Sequence, residues 1–150
     1  MSDENLYSLW GESLRRLKRE PAALTKYFKI LEINKKSMYA YYNIIISYLI
    51  LKNLEQAMEY YKKVLDLFGN KVENKLELSK QFSKYGYLDE SLKILDEILE
   101  SSEDDNYKAY ALFEKFNYFK DIDIGYAISF LDEIIYSNAD DELQSEAFCD

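Results

Sequence analysis

Histidine is missing from all 150 residues of this chain. That absence removes imidazole general bases, histidine-activated nucleophiles and histidine metal ligands at one stroke. The only cysteine is Cys149, so no internal disulfide can form. With a start ("MSDENLYSLW") that is acidic where a secretory leader is basic, this predicts a reducing, cytoplasmic setting. Cys149 has no metal-ligand neighbours and receives no role. One proline and four glycines are too few for an all-β design, which turns every few residues, and they favour helices. The glycines are isolated, which leaves no phosphate-cradling loop. The carboxylate pairs Asp96/Glu97, Asp132/Glu133 and Asp140/Asp141 are adjacent residues, which point about 100° apart on a helix. They read as solvated convex surface. "SSEDDN" reads as a loop that closes in an N-cap and an acidic first turn, not as a calcium loop. The chain is therefore expected to be no enzyme, with no cofactor and no metal.

What is present describes one folded domain. Hydrophobic residues make up 48% and charged residues 31%, the balance of a globule long enough to bury most of its apolar surface. The net charge of −9 repels phosphate, so nucleic acid is not expected as a partner. The basic cluster Arg15, Arg16, Lys18 and Arg19 reads as a solvated helix face. From Met38 to Leu51, "MYAYYNIIISYLIL" runs fourteen residues without a charge. A spanning helix needs roughly 20 apolar residues, and this run also holds Asn43, Ser47 and four tyrosines. No membrane insertion is expected.

Shifting the chain against itself by 34 superimposes small residues at Ala23, Ala57 and Ser91. The same shift aligns Tyr27, Tyr61 and Leu95, then Ile30, Val64 and Ile98. Upstream, Trp10, Ile44, Leu78 and Leu112 align, as do Leu14, Tyr48, Phe82 and Phe116. Within each repeat the apolar spacing is three and four, as in amphipathic helices. Asn53 with Gln56 has the form of an N-cap and capping box, Gly69 marks a helix end, Pro21 opens a helix and Gly86 breaks one. Each repeat is thus predicted to be a helix–turn–helix.

A helix pair of this length and pattern resembles the tetratricopeptide repeat. The residues that carry the resemblance are Tyr7, Trp10-Gly11, Leu14, Ala23, Tyr27 and Ile30. In the second repeat they are Tyr41, Ile44-Ile45, Tyr48, Ala57, Tyr61 and Val64, and in the third Lys75, Leu78-Ser79, Phe82, Ser91, Leu95 and Ile98. The family's proline near each repeat end is absent, with Lys35, Gly69 and Glu103 in its place. Ala127, Leu131 and Ile134 fit the fourth repeat if its turn, "FKDIDIG", carries two extra residues. The resemblance implies a right-handed all-α solenoid with repeats near 4–37, 38–71, 72–105 and 106–141. Residues 142–150 would be a capping helix or, as the apolar "AFCD" favours, the start of a truncated fifth repeat opened by Glu142, with Phe148 and Cys149 in its Leu-Gly positions.

In such a solenoid the first helix of each repeat lines a concave groove. The groove positions are Tyr39, Tyr42, Asn43, Ile46, Leu49 and Ile50 in the second repeat. In the third they are Glu73, Leu76, Glu77, Lys80, Ser83 and Lys84, and in the fourth Tyr107, Tyr110, Ala111, Glu114, Asn117 and Tyr118. This predicts an aromatic floor crossed by a charged band, suited to an extended or helical peptide that is apolar or aromatic in places and basic where it meets Glu73 and Glu77. Burial as ordinary core and self-association through this face are the alternatives. A homo-oligomeric scaffold could use either this face or the exposed end of the array. The carboxylate clamp of chaperone-tail binders is not expected. Asn43 matches it, but Ser8 and Glu12 replace cationic and amide positions, and Glu73 and Glu77 reverse the charge.

Overall fold

The computed structural model describes residues 1–136, and among them are eight α-helices and no strand. They are α1 (Asp3–Arg16), α2 (Glu20–Ile33), α3 (Met38–Ile50), α4 (Leu54–Phe68), α5 (Val72–Lys84), α6 (Leu88–Ser101), α7 (Asp105–Phe119) and α8 (Ile124–Tyr136). None is long and apolar enough to cross a membrane. The chain divides into two compact units, Met1–Lys71 and Val72–Asp150. In each unit every helix packs on the next: α1 to α4 in the first, α5 to α8 in the second. The expected opening of a fifth repeat at Glu142, with Phe148 and Cys149, lies outside the described residues, as does the Asp140/Asp141 pair.

Local chemistry sets the helix ends. Side chains of Ser2, Ser37, Asn53 and Asp104 accept from the first free amides of α1, α3, α4 and α7, which satisfies donors a helix cannot satisfy itself. The capping box expected at Asn53 is only half formed. Gln56 donates its backbone amide to Asn53 but turns its side chain to Glu59, and the Asn53 amide is taken by the Tyr48 carbonyl at 2.8 Å. Pro21 sits in the first turn of α2, and Gly69 ends α4 with φ of 78°.

The 34-residue period also appears in the backbone. Lys18, Lys52 and Gly86 each take the left-handed region, at φ of 57°, 59° and 90°. In each case the next amide reaches back to the helix: Arg19 to Leu14, Asn53 to Tyr48 and Tyr87 to Phe82, at 2.8–2.9 Å. This is a Schellman-type close, in which the reversed residue is most at ease as glycine. Only the third turn has one. The fourth turn differs: Lys120 is right-handed, because one inserted residue extends α7 and another lengthens the turn.

The small-residue column explains how the helices of a pair approach. Ala23, Ala57, Ser91 and Ala127 are all buried. Ser91 donates its hydroxyl to the Ser79 carbonyl at 2.8 Å, so a polar residue fits the α5–α6 crossing without an unmet hydrogen bond. Gly11, one period before Ile45, lies so close to the buried Tyr27 ring that a Cβ there would stand 2.8 Å from Cε1. The close approach, not a turn, requires glycine at this position.

Candidate functional site

In the N-terminal unit the uncharged run of α3 is mostly interior. Ala40, Tyr41, Asn43, Ile44, Ile45, Ile46, Ser47 and Leu49 are buried. Of the six groove positions expected here, Asn43, Ile46 and Leu49 are closed off, Tyr42 and Ile50 are half-buried, and Tyr39 alone is exposed. This corrects the open aromatic floor expected over α3. Both α2 and α4 pack against this helix, so a face that looks free on a helical wheel has little surface left.

The polar residues of α3 serve a network inside this unit. Arg15 closes on the buried Glu20 through Nε at 3.0 and 3.2 Å and Nη2 at 2.8 Å. Its Nη1 donates to Asn43 Oδ1 at 2.7 Å, and its Nη2 reaches the Asn43 carbonyl and the Ser47 hydroxyl at 3.1 and 3.0 Å. Ser47 in turn donates to Glu20. The guanidinium stands 5.0 Å from the Tyr27 ring, a cation–π distance. Arg15 is therefore an internal cross-link between α1, the α2 start and α3, not part of a solvated basic face. Alongside, Tyr39 donates to Glu12 at 2.7 Å. Burial, then this bond, holds its phenol well above the usual tyrosine range.

In the C-terminal unit, groove positions of the first helices do line an open cleft. The groove positions of α5 and α7 converge on a cleft of about 270 Å³ lined by Ser79, Lys80, Ser83, Lys84, Ser91, Leu95, Glu114 and Tyr118. An adjoining recess of about 330 Å³ adds Leu88, Asn117 and Ile122. Lys80 and Lys84 stand one helical turn apart, as do Glu114 and Tyr118 on the facing helix, so each helix presents one stripe to the cleft. The Tyr118 hydroxyl is buried beside Ser83 without a well-formed hydrogen bond. Burial raises its pKa, and the Asp89 charge adds to this. Tyr107 donates to Glu73, linking α7 to α5, and this bond raises its pKa. Glu77 and Tyr110 lie exposed on α5 and α7.

The acidic pairs expected as solvated surface are engaged in part. Asp96 holds Lys115 at 2.7 Å and Glu97 holds the buried Lys75 at 3.4 Å. The pairs join α6 to α7 and to α5. Among the described residues no group of three carboxylates or thiols is placed to hold a metal ion. Against protein-family models and against curated proteins, the chain matches none.

Proposed function

We propose that this chain is a non-catalytic protein–protein interaction module. It is a right-handed solenoid of about four tetratricopeptide-like helix pairs, works in the cytoplasm, and takes a peptide segment of a partner protein rather than nucleic acid. The α5–α7 cleft is the binding surface. One observation supports this above others: Lys80 and Lys84 line a concave surface beside the buried Tyr118 hydroxyl, in a unit otherwise rich in carboxylates. A partner carboxylate between the lysines would gain charge-assisted hydrogen bonds. An apolar side chain fits the recess by Leu88 and Ile122, and a cation fits toward Glu73 and Glu77.

A peptide array probed with the full chain tests this reading. Bound peptides are expected to share an acidic residue beside an apolar one. A Lys80→Glu/Lys84→Glu double variant, both positions being exposed, is expected to keep its helical circular dichroism and lose about tenfold or more in affinity. Unchanged binding by that variant would remove the cleft from consideration.

A further inference from the structure

The repeat register identifies a second surface and what covers it. On α3, Ala40 and Ile44 belong to a buried cluster with Ala23, Tyr27 and Ile30, against which Leu24 and Leu31 of α2 pack. The α6–α7 junction repeats this register in part, with Leu112 standing for Ile44 and the neighbouring Ala109 in place of Ala40. Leu99, the counterpart of Leu31, packs against the cluster holding Ala109 and Leu112. Counting 34 back from Ala40 and Ile44 gives Leu6 and Trp10 on α1. Both are exposed, at 50% and 52%, and with Asp3 and Tyr7 they line a recess of about 480 Å³. On α8, allowing for the two inserted residues, the counterparts of Leu24 and Leu31 are Ile128 and Ile135. Ile128 is 45% exposed, and Ile124 and Tyr126 beside it are exposed too. The chain thus carries both halves of one helix junction, each without its mate among the described residues.

Charge complements shape. Met1–Lys71 holds twelve Lys and Arg against eight Asp and Glu, a net of +4. Val72–Asp150 holds seven against twenty, a net of −13. Lys26 Nζ sits 3.7 Å from the Trp10 ring at the edge of the α1 recess, and Asp132 lies one turn beyond Ile128. The unit that presents α1 is thus net positive and the unit that presents α8 net negative, a long-range attraction to which Asp3 in the α1 recess is the local exception. We propose that a second copy of this chain covers this surface: α8 of one copy docks on α1 of the next, head to tail. The contact is heterologous, so it propagates into open chains or closes as a ring.

Sedimentation velocity and light scattering on the full chain, from micromolar to millimolar, test the proposal. Trp10 is the only tryptophan, which makes its emission a built-in reporter of the α1 face. The expected result is a mass that rises with concentration while Trp10 emission moves to shorter wavelength. Leu6→Glu and Ile128→Glu are each expected to weaken self-association about tenfold or more with unchanged helicity. Mixed, the two variants are expected to form a one-to-one complex, since each keeps one intact face. Should Leu6→Glu lose helicity, Trp10→Lys takes its place with mass as the readout. A monomer at every concentration, a symmetric dimer, association that survives both variants, or variants that fail to pair when mixed would each overturn the proposal. So would a monomeric chain whose α1 face is occupied by a different protein.

Discussion

Replacing Arg15 with methionine is expected to destabilise the N-terminal unit by about 3–5 kcal/mol, the range for removing one partner of a buried ion pair. The estimate follows from who is left behind. Glu20 is 4% exposed and receives three close contacts from the guanidinium and one from Ser47. Without Arg15 its carboxylate keeps only the Ser47 hydroxyl. Asn43 Oδ1 also loses its donor at 2.7 Å, and an orphaned buried acceptor costs about 1–3 kcal/mol. Adding Glu20→Met removes the unpaired charge but not the Asn43 orphan, so the double variant is expected to recover most of the loss and to stop short of wild type. Urea titration followed by Trp10 fluorescence reads this unit specifically, since the only tryptophan lies in α1. Such a loss is a large share of the roughly 5–15 kcal/mol that holds a domain together. A single variant that loses less than about 1 kcal/mol, or a double variant less stable than the single, would refute the assignment of Arg15 as an internal cross-link.

Ile46→Glu places an unpaired carboxylate at a site only 6% exposed. It is expected to lower the melting temperature sharply, and a variant as stable as wild type would return Ile46 to the surface. Lys52→Gly relieves a left-handed side chain at φ of 59°, with an expected gain of about 1 kcal/mol in urea unfolding; a loss would show that the Lys52 side chain outweighs the strain. Alkaline pH acts through the phenols. Burial raises the pKa of Tyr27, Tyr39, Tyr48 and Tyr118 above the ordinary value of 10.0. Their neutral forms belong to the folded state, so this stability is complete below about pH 10 and declines as the pH rises through the folded values. A 295 nm titration in which all fifteen tyrosines ionise together near pH 10, with an unchanged melting temperature, would contradict this.

The parts of the fold that were legible in the sequence are those decided within a few residues. Pro21 at a helix start, Gly69 and Gly86 after helix ends, and the Asn53 cap act on their own turn of backbone, and each stands where its local chemistry requires. The small column from Ala23 to Ala127 was legible because close helix crossing limits side-chain volume whatever lies around it. Arg15 was not, because its role depends on residues 5, 28 and 32 places away. The available signal was Asn43 and Ser47, one turn apart in a run otherwise nearly free of polar side chains. Two such groups on an apolar helix need a buried partner.

The groove positions separate for the same reason. A helical wheel fixes which residues share a face but not how many neighbours close over it. The α3 positions Asn43, Ile46 and Leu49 became interior, while Lys80, Lys84 and Tyr118 came to line a cleft. Trp10 shows the converse. Its column partners Ile44, Leu78 and Leu112 are buried, and it is half exposed, although the side chain is the largest of the four. Identical register with unequal burial means that the difference comes from the neighbour and not from the helix. On α3 that neighbour is the preceding helix pair. On the proposal above, this exposed tryptophan marks the position that a helix of a second copy fills.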